Sequence, residues 1–104
     1  MRKIIYISGP ISGVKDFHKN FAEAEEKLQK RGCNVINQAR LNDIFPEALP
    51  YGAYMQACLA LLPYADAVYL LKGWEKSAGA QMELKIAQSL GLLIYEEEFE
   101  ELMG

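Results

Sequence analysis

A chain of 104 residues has room for one domain, spanning 1–104, built on one core. With 51% hydrophobic and 24% charged residues, disorder is excluded as the default reading. A net charge of −3 with scattered lysines argues against a nucleic-acid partner, and no apolar run approaches the ~20 residues of a membrane span.

Cys33 and Cys58 form no CxxC motif and no Cys/His cluster, so no metal site is expected. Met1 to Tyr6 reads straight into a strand rather than a signal peptide. Free thiols in a cytoplasmic setting follow as the expectation.

In chain order, Lys3 to Ser8 is a nearly continuous apolar run, the pattern of a strand covered on both faces. It ends in the breaker-rich loop Gly9-Pro10-Ile11-Ser12-Gly13. Phe17, Phe21, Ala24 and Leu28 then recur at helical spacing, with Asp16 as the expected N-cap and Gly32 as the stop. Residues 33–37 read as a second strand. Residues 38–50 read as a connection with one turn of helix around Ile44 and Phe45. A helix over 51–62 follows, with Met55, Cys58, Leu59 and Leu62 inward and Pro63 ending it.

Residues 66–71 predict a third strand and 73–76 a loop. Ser77 caps a helix running to about Leu90, with Met82, Ile86 and Leu90 expected inward. Residues 92–95 predict a fourth strand. The acidic end reads as a short last helix with a solvated face of glutamates and with Phe99, Leu102 and Met103 on one side. Alternating short strands and helices imply a parallel sheet with right-handed crossovers. Ligands of such sheets sit beyond the carboxyl ends of the strands, where strand order reverses. The two unusual loops leaving carboxyl ends, Ser8 to Gly13 and Gly73 to Gly79, therefore bracket the expected site.

The first loop offers small residues, two hydroxyls and exposed amides, which suit a phosphate or sugar, although a plain turn has the same composition. The second opens a helix whose N-terminus favours an anion, and Gly79 there implies something packed against the backbone. Glu83 flanks the expected inward stripe; spacing alone reads it first as an ordinary exposed glutamate, and otherwise as a residue at the rim of the core or in a pocket. The lone histidine, His18, reads as a surface residue. Trp74 either stacks a base or covers the sheet edge.

Tyr6-Ile-Ser-Gly-Pro10, Ala65-Asp66, and Gly73-Trp-Glu-Lys-Ser77 followed by Gly79 and Glu83 resemble the nucleoside 2-deoxyribosyltransferase-like superfamily, most closely a small bacterial and phage branch of unknown function. The resemblance spans residues 3 to about 95. It implies a flavodoxin-like three-layer sandwich with a four- to five-stranded parallel sheet, assembled as a homodimer or larger. It further implies cleavage or transfer at the N-glycosidic bond of a (deoxy)nucleoside or its 5′-monophosphate, with no cofactor. In that reading Glu83 is the nucleophile and Tyr6 lines the sugar or orients the carboxylate. Ser8, Gly9, Pro10, Ser12, Gly13, Trp74, Ser77 and Gly79 contact substrate.

Two positions depart from the family pattern. Cys58 stands where relatives carry an aspartate that assists the base or sugar, and Ser12 stands where monophosphate hydrolases carry an arginine. Asp66 starts its strand and reads as structural. The alternative is a non-catalytic nucleotide-binding or sensing domain, which the change at Cys58 favours. A phosphoacceptor receiver is excluded, because the first strand ends in Ser8-Gly-Pro and the third in Leu71-Lys72 rather than in acids. The helix at 51–62 is more apolar than one stripe requires, which points to a dimer face.

Overall fold

A computed structural model describes residues 2–103 of the chain, and side chains through residue 100. Four strands, β1 (Ile4–Ser8), β2 (Asn34–Asn37), β3 (Ala67–Leu70) and β4 (Leu93–Glu96), alternate with five helices. These are α1 (Phe17–Lys30), α2 (Gln38–Ile44), α3 (Tyr51–Leu61), α4 (Ala78–Ser89) and α5 (Glu97–Met103). The sheet is parallel throughout, in the order β2-β1-β3-β4. The chain steps outward one way from β1 to β2 and the other way to β3, so strand order reverses between β1 and β3. This is the arrangement of a flavodoxin-like three-layer fold.

Strand parity sorts the core into two layers. Ile5, Ile7, Tyr69 and Leu71 face α1, packing with Phe21, Ala24 and Leu28. Tyr6, Val68 and Leu70 face the opposite way, onto Tyr54, Met55, Cys58 and Leu62 from α3 and its end, and onto Ala87 of α4. The apolar excess of α3 is thus packed within the chain: Leu59 and Leu61 are half-buried, and Tyr51 is its one exposed large apolar residue. No helix among the described residues is long and apolar enough to cross a membrane.

Several expectations need correction. A full helix, α2, begins at Gln38, because the Asn37 side chain accepts a hydrogen bond from the Ala39 amide at 2.9 Å and caps it. Asp16 precedes α1 but makes no capping hydrogen bond. On α4 the inward face is Gly79, Ala80, Glu83 and Ala87, whereas Met82 and Leu90 are exposed. Small residues there let the helix approach the sheet closely, which a stripe of large side chains would prevent.

Three glutamates of the last segment, Glu96, Glu97 and Glu100, are tied to neighbours, while Glu98 is exposed as expected. Glu100 accepts from the Tyr69 hydroxyl at 3.0 Å and pairs with Arg31 at 3.2 Å. Glu97 accepts from the Lys72 amide at 3.1 Å, and Glu96 from the Trp74 indole at 3.1 Å. Phe99 is exposed; the side chains of Leu102 and Met103 lie outside the described residues.

Candidate functional site

The site begins with strand parity. Tyr6 and Ser8 are two residues apart on β1, so both hydroxyls project to the same face. That face receives α4, whose inward turn delivers Glu83. The Tyr6 hydroxyl donates to Glu83 Oε2, and Ser8 Oγ donates to Glu83 Oε1 at 2.7 Å. From α2, Gln38 Nε2 donates to both oxygens, at 3.1 and 3.2 Å. Glu83 itself is fully buried, as are Tyr6 and Ser8.

No salt bridge reaches Glu83 among the described residues, so the carboxylate has hydrogen bonds but no countercharge. Burial pushes its pKa above the ordinary 4.5, against the opposing pull of the bonds from Tyr6, Ser8 and Gln38. Burial, with Glu83 alongside, also raises Tyr6 well above its usual value, so the phenol stays protonated and remains a donor. Cys58 lies against this group from α3. Burial raises the thiol too, with hydrogen bonds from Tyr6 and Tyr54 opposing the shift.

Beside this group, with Gln38 between, lies a cleft of about 70 Å³ whose lining does not include Glu83, Tyr6 or Ser8. Gln38 of α2 and Gly79 and Ala80 of α4 contribute to its lining on the Glu83 side; Gly9, Ile11, Ser12 and Ser77 contribute from the two loops. Asn42, Tyr51 and Tyr54 complete it. Ser12, Tyr51, Ser77 and Gly79 also border a shallower depression of about 300 Å³, together with Pro10, Lys76 and Ala78. The α4 N-terminus opens on this cleft. Ser77 Oγ satisfies the Ala80 amide at 3.2 Å, while the amides before it have no partner within the helix.

Two glycines are required by close approach. A Cβ on Gly79 would lie 2.6 Å from the Tyr51 hydroxyl, and one on Gly9 would lie 2.8 Å from Leu71 Cβ. Gly79 therefore admits the Tyr51 ring end over the first turn of α4, which is the packing its helix-breaking character implied.

The residues picked from the sequence thus divide. Glu83, Tyr6 and Ser8 form one buried group, and Gly9, Ser12, Ser77 and Gly79 line the cleft beside it. Pro10 borders the outer depression. Gly13 is exposed and is not part of the cleft lining. Trp74 is also absent from that lining; its indole donates to Glu96 and it packs, partly buried, against the Val68 layer.

His18 is at the surface, 2.7 Å from Asp43. Asp66 accepts from the Ile4 amide at 2.8 Å at the amino end of the sheet. The sequence reading missed Gln38, Asn42, Tyr51 and Tyr54. The signal for Gln38 was Asn37: a cap at the end of β2 places the next residue at the carboxyl edge of the sheet.

Gln38 has a further peculiarity. The residue is buried, its backbone carbonyl accepts from the Tyr54 hydroxyl at 3.2 Å, and its Nε2 is held by Glu83, yet its Oε1 has no partner. An unmet buried acceptor costs about 1–3 kcal/mol.

The fold and this cleft define a class: a parallel α/β domain with an unneutralised carboxylate beside its switch-point cleft. Residues 3–96 match the family model described as a domain of unknown function, DUF4406, and the chain belongs to that family. No curated protein matches it.

Proposed function

We propose that the cleft binds a nucleoside or nucleoside 5′-monophosphate and that Glu83 acts as nucleophile in cleavage or transfer at its N-glycosidic bond. One observation carries this reading: a fully buried carboxylate at the switch point, held by Tyr6, Ser8 and Gln38 with no cation beside it. A lone buried carboxylate weakens the fold, and such strain concentrates where chemistry requires it. The resemblance to nucleoside 2-deoxyribosyltransferase-like proteins supports the same role for the same residue.

In this mechanism a Glu83 oxygen bonds to the anomeric carbon as the C–N bond breaks. The base leaves with that electron pair and takes a proton. Water or a second base then displaces the carboxylate. Tyr6 and Ser8 hold the carboxylate in position. The ligand, or a movement of Gln38, has to uncover one oxygen first, because Glu83 is closed off from solvent.

That closure, together with a neutral thiol at Cys58, favours a second reading in which the domain binds a nucleotide without cleaving it. Incubation with a panel of nucleosides and monophosphates, with free base followed by chromatography, separates the two. Base release is expected, and Glu83→Ala should reduce it by at least ~10³-fold, about 4 kcal/mol of barrier. Cys58→Asp should raise the rate without a comparable change in affinity. If the wild type releases no base and a folded Cys58→Asp protein is also inert, the binding reading replaces the enzymatic one.

A further inference from the structure

We infer that Gln38 is a specificity-determining residue whose free Oε1 accepts a hydrogen bond from a hydroxyl on the sugar of the bound nucleoside. The inference deepens the function proposed above and rests on it.

The argument starts from the amide's two ends. Nε2 is committed to Glu83, 3.1 and 3.2 Å from its two oxygens. Turning the amide over would set Oε1 against a carboxylate, so its orientation is fixed by charge. Oε1 is therefore an acceptor that cannot become a donor. It is buried and unpaired on a residue that borders the cleft. The residue is also held in place: Asn37 caps the helix it begins, and the Tyr54 hydroxyl binds its carbonyl. A rigid, unmet acceptor discriminates strongly between a ligand that carries a donor and one that lacks it.

Position decides which part of the ligand is read. Oε1 and Nε2 belong to one planar amide, and Nε2 touches the oxygens that meet the anomeric carbon. Whatever Oε1 contacts therefore lies within a few ångströms of that carbon, where the hydroxyls of the sugar are the donors that do not depend on the identity of the base. The 2′-hydroxyl and the 3′-hydroxyl share the required chemistry.

The test uses C-nucleosides, whose carbon–carbon link resists cleavage, in four forms: parent ribose, 2′-deoxy, 3′-deoxy and 2′-fluoro. Binding to the wild-type chain is measured by calorimetry, and then to Gln38→Met, which keeps the volume and removes both polar ends. For the wild type, the analogue lacking the hydroxyl that is read should bind at least ~10-fold more weakly than the parent. If that hydroxyl is 2′, fluorine should not rescue it, because it cannot donate. The 2′- and 3′-deoxy arms identify the position. In Gln38→Met the difference should collapse.

Equal wild-type affinity for all four overturns the inference and leaves the nucleoside reading standing. So does discrimination that survives in Gln38→Met. Failure of every form to bind the wild type overturns both. The wild-type series decides even if Gln38→Met does not fold.

Discussion

Among the described residues two glutamates are buried, one on each side of the sheet, and they solve the same electrostatic problem differently. Glu25, on α1, accepts from Asn37 Nδ2 at 2.8 Å and from Gln29 Nε2 at 3.2 Å, and pairs with Arg40 at 3.0 Å. Its partners follow it closely in the chain, and Arg40 reaches it from solvent. Glu83 has three neutral donors, all far away in sequence, and no cation. Glu25 ties α1 to the start of α2, so its charge is neutralised where it stands. Among the described residues no cation faces Glu83, and its burial favours the protonated form. Glu25 has a countercharge and Glu83 has only neutral donors, a difference that fits the chemical role proposed for Glu83.

The contrast predicts opposite stability changes on neutralising each acid. Glu83→Gln should leave the protein as stable at neutral pH, or about 1 kcal/mol more stable, while ending base release. The new amide can donate to Gln38 once that side chain turns over, so the unmet Oε1 gains a partner. Glu25→Gln should cost about 1 kcal/mol by loss of the Arg40 pair and leave base release unchanged. Chemical denaturation of both variants beside the wild type checks the signs. A large loss of stability in Glu83→Gln would break the comparison.

Acidity sharpens it further. The pKa of Glu83 is raised in the folded chain, so the native state holds this proton more tightly than the unfolded state does. Its contribution is fully present below the ordinary glutamate range. It is lost as pH rises from that range through the raised folded value. A denaturation midpoint followed upward from pH 4 should therefore carry a decline that is absent in Glu83→Gln. An identical profile in the two proteins would show that burial does not shift Glu83.

The smallest effect concerns the cleft wall. Gly79→Ala forces the Tyr51 hydroxyl aside, but Tyr51 is more than half exposed and its ring end can swing outward. The gain in helix propensity, about 1 kcal/mol, offsets the displacement, so stability should change by less than ~1 kcal/mol. Nucleoside affinity should fall several-fold, because Tyr51 borders both the cleft and the outer depression. Titration by calorimetry at matched stability measures this.

The element order and the parallel sheet were legible in the alternation of short apolar runs and helical stripes. The switch-point rule then placed the two loops correctly at one end. What failed was the face of α4. Hydrophobicity ranked Met82 and Leu90 as inward, but close packing selected small residues, Ala80 and Ala87 with Gly79 under Tyr51 of α3, and hydrogen bonds drew in Glu83. Periodicity measures oiliness, and here the buried face is chosen by size and by polar partners on other elements. Gln38 was hidden for a related reason: its role depends on where α2 starts, which one capping bond from Asn37 decides. Tyr6 and Ser8 were recoverable, since their shared parity on β1 fixes both hydroxyls on one face.

The hydrogen bonds to Glu83 span 45, 75 and 77 residues of chain. Contacts of such separation carry a large loop-closure entropy, and they reward the chain only after β1, β2 and β3 have aligned. The carboxylate is thus a latecomer to folding. Until α4 docks, the hydroxyls of Tyr6 and Ser8 face water, and Glu83 is an ordinary solvated acid. The hydrogen bonds that hold Glu83 are therefore completed only when the native packing of α4 on the sheet is in place.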